Sequence, residues 1–285
     1  MIDLLIDWYG AMGVDEAIGD LPVDRLSAKP APGPEAVVPR ASAPLAPAST
    51  RAAPAPVVAT PSVGGPPTPL PRPLSAATMA LGEQILAARQ AAAAATTLDA
   101  LRQAVADFDG CSLKAMATNT VFADGNPAAP IMLISEAPGA DEDRIGRPFV
   151  GASGQLLDRM LASIGIDRDN AYITNILFWR PPGNRPPTET EIAVCRPFVE
   201  RHIALVNPRI LVLIGGIASA ALKPGSEGIT RLRGRWFDLS VNGVNETFAT
   251  MAMYHPSFLL RSPDRKRESW ADLLKIRAKL KEITK

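Results

Sequence analysis

Residues 131–143 read IMLISEAPGADED, an aliphatic run that passes directly into a short acidic loop. The unbroken run over 131–135 is typical of a parallel strand that is buried on both faces. Pro138 and Gly139 end the strand. Because open α/β sheets bind ligands at the carboxyl ends of their strands, a catalytic carboxylate is expected in this loop. The alternative is a solvated acidic turn without a function.

The rest of the C-terminal half alternates strands with helices. The other predicted strands and extended runs cover 171–177, 209–215, 235–240 and 247–253. The predicted helices between and after them cover about 152–164, 189–206, 217–222 and 264–282. Thr188 and Glu191 form a capping box for the second of these helices, which Pro197 is expected to kink or divide. Repeated βα units indicate a three-layer α/β/α fold with a central, mainly parallel sheet of about four strands.

Composition divides the chain into three segments. Residues 1–20 carry one apolar stripe and are predicted to form an amphipathic helix. Residues 21–75 are predicted to be a disordered linker rich in Pro and Ala, because 14 of the 28 prolines lie between Pro30 and Pro73. Residues 76–285 would form the catalytic domain. The leader helix could dock a partner protein or fold back on the chain's own domain.

Charge and cysteine content narrow the class of protein. The net charge is only +1, but residues 130–285 carry 22 Lys and Arg against 17 Asp and Glu, as expected of a domain that binds phosphates. Cys111 and Cys195 cannot form a disulfide framework, and no signal peptide or membrane-spanning run is recognisable. We therefore expect a soluble, intracellular protein.

Three more stretches place reactive side chains near strand ends. Phe149 lies in a loop of Gly, Pro and Arg, Asn175 follows an apolar strand, and His255 opens the sequence His-Pro-Ser after the last strand. With Glu136, these residues suit a small, planar, polar ligand that is stacked by the ring, read by the amide and polarised by the imidazole. Each residue alone has a structural explanation: a turn for Asn175, a core position for Phe149 and a satisfied histidine for His255.

These stretches together resemble the uracil-DNA glycosylase superfamily, and its family four most of all. The resemblance rests on residues 135–143, 146–151, Asn175 with 180–182, and 255–261, and it extends from about Cys111 to the C-terminus. It implies an enzyme that removes uracil from DNA by hydrolysis and leaves an abasic site. With this function we expect a cytoplasmic monomer that associates with the nucleoid through DNA binding.

The resemblance also implies a role for each matching residue. Glu136 would support the attack of water, with Asp141 in reserve because Ala140 stands where some relatives have an acid. Phe149 would stack on the flipped base beside Ala137, and Asn175 would bind the polar edge of uracil and reject cytosine. His255 would stabilise uracil O2 as negative charge develops.

The DNA contacts implied by the resemblance lie in two loops. The loop that follows His255 would enter the duplex and fill the gap left by the flipped nucleotide. Its predicted DNA-binding residues are Ser257, Leu259, Leu260 and Arg261. Arg185, in a second motif loop, would contact a phosphate.

The family usually holds an iron–sulfur cluster with four cysteines, and here the chain departs from the pattern. Cys111 and Cys195 occupy two of those positions, whereas Phe108 and Trp179 occupy the other two. Because neither ring can ligate iron, we predict no cofactor and no metal, with packed aromatic side chains in place of the cluster.

Two other functions stay open at this point. One is a glycosylase of the same fold that acts on deaminated purines, against which Asn175 argues. The other is a protein that binds uracil or abasic sites in DNA without turnover, against which Glu136 and His255 argue.

Overall fold

A computed structural model describes residues 81–223, 225 and 227–283 of the chain. The predicted leader helix (1–20) and linker (21–75) lie outside these residues. All of the described residues fall within the predicted catalytic domain (76–285).

A six-stranded sheet forms the centre of the described chain. The strands are β1 (Ala123–Gly125), β2 (Ile131–Ser135), β3 (Tyr172–Asn175), β4 (Ile210–Ile214), β5 (Trp236–Ser240) and β6 (Thr247–Met253). Their spatial order is β1-β3-β2-β4-β6-β5, with the four inner strands parallel and the two edge strands antiparallel. The predicted parallel centre of about four strands is confirmed. The added edge strand β1 has only three residues, and its sequence, Ala-Asp-Gly, carries no strand signal.

Helices connect the strands and cover the sheet. They are α1 (Leu81–Ala94), α2 (Leu98–Asp107), α3 (Ala140–Ile145), α4 (Ala152–Ala162), α5 (Glu189–Val206), α6 (Gly216–Leu222), α7 (Ile229–Leu232), α8 (Pro256–Arg261) and α9 (Lys266–Ile283). Among the described residues, no helix is long and apolar enough to cross a membrane.

The side chains of β2 show how the sheet separates two cores. Met132 and Ile134 pack into one core with α1, α2 and α5. Ile131 and Leu133 point to the opposite face and pack with α4 and α9. Since helices cover both faces, the predicted three-layer α/β/α architecture is confirmed.

Helix α5 begins as predicted but is not divided. Thr188 Oγ1 accepts a hydrogen bond from Glu191 N at 3.2 Å, and the Glu191 carboxylate accepts one from Thr188 N at 2.8 Å, which completes the capping box. The helix then continues through Pro197 to Val206. Division of the helix at Pro197 was therefore the wrong expectation; the loss of one backbone hydrogen bond is tolerated where the helix is packed against the core.

The strand order places a crevice at the carboxyl ends of β2 and β4. The chain leaves β2 towards β3 on one side, and leaves β4 towards β6 on the other, so the two connections diverge. Gly215 ends β4 with φ +92°, and a Cβ there would lie 3.3 Å from the Cβ of His255. The glycine therefore leaves room for His255 beside the crevice.

Candidate active site

Glu136 and Asn175 lie side by side at the ends of two parallel strands. Ser135 of β2 is the register partner of Asn175 of β3, and the pairing continues as Ile176 N donates to Ser135 O at 2.7 Å. Leu177 N then donates to Glu136 O at 3.0 Å, which fixes the backbone of the carboxylate residue. Burial raises the pKa of Glu136 above its usual value.

The remaining carboxylates of the acidic loop have different surroundings. Glu142 accepts hydrogen bonds from Gly139 N, Val150 N and Gly151 N at 2.9–3.1 Å, so it joins this loop to the loop that carries Phe149. Asp143 is buried and accepts the backbone N–H groups of residues 118 and 119. Asp141 is exposed, and its Oδ1 lies 3.4 Å from Arg144.

Phe149 is buried and has an unusual backbone. Its φ of +55° lies in the left-handed region, which costs a non-glycine residue about 1 kcal/mol or more. Its ring stacks on His255, with ring centroids 5.7 Å apart and an interplanar angle of 26°. The loop therefore holds the ring in a conformation that the backbone alone disfavours.

The hydrogen bonds of His255 decide which ring nitrogen carries the proton. His255 caps α8, and its Nδ1 accepts from Ser257 N at 3.0 Å, with Ser257 Oγ at 2.8 Å. Burial lowers the pKa of His255 to about 4, so the imidazole is neutral at pH 7. Because Nδ1 is an acceptor, the proton of the neutral ring is on Nε2.

Three polar groups of this site have no hydrogen-bond partner in the part of the chain that the structure describes. They are the Glu136 carboxylate, the Asn175 carboxamide and His255 Nε2, and Asn175 is only 3% exposed. Because Glu136 and His255 are only partly buried, a ligand that enters the crevice can reach their polar groups. We call these three residues and Phe149 the strand-end site; its chemistry suits a ligand with polar edges and a flat ring.

The predicted DNA-binding residues that follow His255 lie on α8 and differ in exposure. Leu260 is 44% exposed and Arg261 is exposed, whereas Leu259 is fully buried in the core with Met253 and Leu273. Leu259 therefore packs α8 against the core and cannot enter a duplex. Consecutive residues of a helix point in different directions, so Leu260 faces outward while Leu259 faces the core. The Ser257 hydroxyl is hydrogen-bonded to Nδ1 of His255.

The remaining two predicted site residues, Arg185 and Ala137, have different surroundings. Arg185 Nη1 and Nη2 donate to both carboxylate oxygens of Glu191 at 2.9 and 2.6 Å, and the arginine side chain stays 40% exposed. Ala137 is partly buried and packs against the core formed with α1, α2 and α5.

One residue that sequence reasoning missed contacts the loop of Phe149. Arg168 lies between α4 and β3, outside every motif, and its guanidinium donates to the carbonyl oxygens of Pro148 and Phe149. It also pairs with Asp124 and Asp158. No local signal in the sequence points to this arginine, because its partners lie as far as 44 residues away.

Cys111, Cys195, Phe108 and Trp179 form a second region, which we call the cysteine region. Both thiols are buried; the neighbouring Cys111 sulfur and burial raise the pKa of Cys195. Phe108 packs edge-on against Phe198 with ring centroids 5.0 Å apart, and Trp179 Nε1 donates to Thr120 Oγ1 at 3.0 Å.

The cysteine region does not fit a four-cysteine cluster, because two of the four side chains are aromatic rings without a ligating atom. Among the described residues, no group of three or more His, Cys, Asp or Glu side chains could hold a metal ion.

Comparisons with known proteins identify the family of this chain. The sequence model of the uracil DNA glycosylase superfamily matches residues 122–274, more than half of the chain. The chain therefore belongs to the uracil-DNA glycosylase superfamily.

The relatives place it near one branch of that superfamily. It is 37% identical over 186 residues to the type-4 uracil-DNA glycosylase of Sulfurisphaera tokodaii, covering 64% of this chain and 84% of that protein. It is 36% identical to the type-4 enzyme of Archaeoglobus fulgidus, covering 63% and 92%, and 38% identical to that of Thermotoga maritima, covering 58% and 84%. The resemblance to family four is thus confirmed.

Proposed function

We propose that this protein is a DNA repair glycosylase that hydrolyses the N-glycosidic bond of uracil in DNA and leaves an abasic site. The observation that carries the proposal is the strand-end site: a carboxylate, a carboxamide and an imidazole N–H without partners among the described residues, next to a buried aromatic ring. The membership in the uracil-DNA glycosylase superfamily and the names of the type-4 relatives support the same substrate.

His255 holds the leaving base. As the bond between N1 of uracil and C1′ of deoxyribose breaks, its electron pair goes to the base, and negative charge accumulates on O2. A neutral imidazole with its proton on Nε2 is a fixed donor for that oxygen, and Ser257 keeps the ring in this tautomer. Removing one such donor costs about 10²-fold or more in rate.

Glu136 acts on the sugar side of the reaction. Its ionised carboxylate stabilises the positive charge that develops at C1′ and accepts a proton from the attacking water, whose oxygen forms the new bond to C1′. Water thereby supplies the hydroxyl of the abasic site, and its proton is finally taken up by the uracil anion or the solvent. Asp141 is the second candidate for this role. Because Asp141 is exposed and pairs with Arg144, we assign the role to Glu136.

Phe149 and Asn175 recognise the base. The ring of Phe149 would stack on uracil, which requires that the nucleotide leave the duplex. The carboxamide of Asn175 has both a donor and an acceptor, which match O4 and N3–H of uracil. Cytosine presents the opposite pattern, and deaminated purines are larger. Ala137 would line the pocket without adding a polar group.

The DNA is held by the loops around the site. Leu260 would fill the space that the flipped nucleotide leaves, since it is the exposed leucine of its loop. Arg261 and Ser257 lie in the same segment as Leu260. The Arg185 side chain stays 40% exposed although it pairs with Glu191, so it can also contact a phosphate. Leu259 supports the loop from the core.

We infer further that the protein works without an iron–sulfur cluster. The support is the donor set of the cysteine region, in which Phe108 and Trp179 take the place of two ligands. Protein purified under anaerobic conditions should then contain no stoichiometric iron and show no absorbance band at about 400 nm. Such a band together with stoichiometric iron would contradict this inference.

We also propose a cytoplasmic monomer whose residues 1–18 bind a partner protein. The support is the apolar stripe of these residues and the Pro-rich segment that comes after them. Light scattering of the full chain measures whether it is a monomer. Affinity capture with the full chain and with a chain that lacks residues 1–18 measures whether these residues bind a partner protein.

The function is tested with 5′-labelled oligonucleotides that contain one uracil, in single- and double-stranded form. The expected product is an alkali-labile abasic site, formed over many turnovers. Retention of labelled DNA without turnover would indicate a binding protein instead, and cleavage only at hypoxanthine or xanthine would indicate a purine glycosylase.

A further inference from the structure

We propose that Arg168 is a positioning residue that holds Phe149 in its base-stacking orientation. The proposal rests on the proposed function, because it concerns how the aromatic ring of that site is kept in place. The guanidinium of Arg168 reaches two consecutive carbonyl groups of the loop: Nη1 donates to Pro148 O at 3.1 Å, and Nη2 donates to Phe149 O.

Three contacts surround the peptide groups of Phe149. Arg168 binds the Phe149 carbonyl from one side, and the backbone of Gly154 in α4 lies close on another, where a Cβ would come within 1.9 Å of the same oxygen. The next two N–H groups, of Val150 and Gly151, donate to the Glu142 carboxylate. Carbonyl and N–H groups on both sides of the aromatic residue are therefore held by charged side chains.

This arrangement explains the backbone of Phe149. A non-glycine residue keeps a φ of +55° only when its surroundings fix it. If the Arg168 contacts are lost, the peptide groups of the loop can rotate back to the favoured region. The Phe149 ring would then move away from the His255 ring, on which it stacks with the two centroids 5.7 Å apart.

Arg168 is itself held in a fixed orientation. It pairs with Asp124 on the edge strand β1, and its Nε donates to Asp158 Oδ1 of α4 at 3.0 Å. A planar guanidinium with five N–H donors can serve these acceptors at the same time, whereas a lysine ammonium cannot reproduce the geometry. The site of base stacking is thus connected to both α4 and the edge of the sheet.

The test is a double-mutant cycle with Arg168→Gln and Phe149→Leu, measured as the single-turnover rate of uracil excision at saturating DNA. We expect Arg168→Gln alone to lower the rate about 10- to 100-fold, as for a misplaced binding group. In the Phe149→Leu background, the same substitution should lower the rate less than about threefold, since the ring through which Arg168 acts is gone. Affinity for uncut DNA should stay within about twofold of the wild-type value.

Three further variants distinguish a misplaced Phe149 ring from a loss of folding. Arg168→Lys keeps the charge but has a single donor nitrogen, which cannot reach both carbonyl groups in the same geometry, so we expect a rate between those of the wild type and Arg168→Gln. Asp158→Asn is the matched control: it removes a negative charge beside Arg168 but keeps a carboxamide oxygen that can accept from Arg168 Nε, so Arg168 stays in place and the rate should stay within about twofold of wild type. Gly154→Ala presses on the same carbonyl from the other side and should also lower the rate.

Equal losses from Arg168→Gln in the two backgrounds would overturn the proposal, because the arginine would then act independently of the ring. A wild-type rate for both Arg168 variants would overturn it as well. Failure of the proposed function is a different result: the wild-type protein itself would then release no uracil.

Discussion

The strand-end site and the cysteine region both lie at positions where the family resemblance implies chemistry, yet their surroundings differ. In the strand-end site, the Glu136 carboxylate, the Asn175 carboxamide and His255 Nε2 lack partners among the described residues. In the cysteine region, both thiols are buried in the core and the indole N–H of Trp179 has Thr120 as acceptor.

This difference separates a site arranged for a ligand from a region arranged for packing. Polar side chains that converge on a crevice without a protein partner are typical of sites whose partner is a ligand. A region whose aromatic rings pack edge-to-face and whose polar groups are satisfied contributes to the core instead. Substitutions in the strand-end site should therefore lower activity more than stability, and substitutions in the cysteine region should lower stability more than activity.

The largest effect on activity is expected from Glu136→Gln and His255→Ala. Each should lower the single-turnover rate of uracil excision by about 10²-fold or more, because each removes a group that acts on charge in the transition state. Thermal unfolding of Glu136→Gln should occur at or above the wild-type temperature, since a desolvated carboxylate without a partner is lost. Full activity of both variants would show that the mechanism is wrong.

A smaller effect is expected from pH. The reaction needs Glu136 ionised and His255 neutral. As the pH falls from 7, Glu136 gains its proton first, at a pH above its usual value because burial raises its pKa, and His255, whose pKa burial lowers, gains one near pH 4. The rate should thus decrease on the acid side, first as Glu136 is protonated and then as His255 is protonated.

The pH profile also distinguishes the two groups. Since Glu136→Gln removes the first titration, the remaining activity of this variant should decrease only near pH 4, where His255 is protonated. The measurement is the single-turnover rate from about pH 4 to about pH 9. An acid limb that is unchanged in the Gln variant would assign it to another group.

The sequence predicted the parts of the molecule that depend on local patterns. The aliphatic runs indicated the inner strands, and the Thr188 capping box indicated the start of α5. The burial of Leu259 beside the exposed Leu260 was not predictable, because it depends on how α8 packs on the core. Arg168 could not be found at all, since its role depends on Asp124, which is 44 residues away, and on a loop backbone with positive φ.

The smallest effect on activity is expected in the cysteine region. The double variant Cys111→Ala/Cys195→Ala should excise uracil within about twofold of the wild-type rate, because neither thiol belongs to the strand-end site. Its free energy of unfolding should decrease by about 1 to 2 kcal/mol per site, as each substitution removes buried volume. Denaturant unfolding and excision measured on the same preparations check both values. A loss of more than about tenfold in excision at unchanged stability would show that the cysteine region takes part in the function, and the contrast between the two regions would fail.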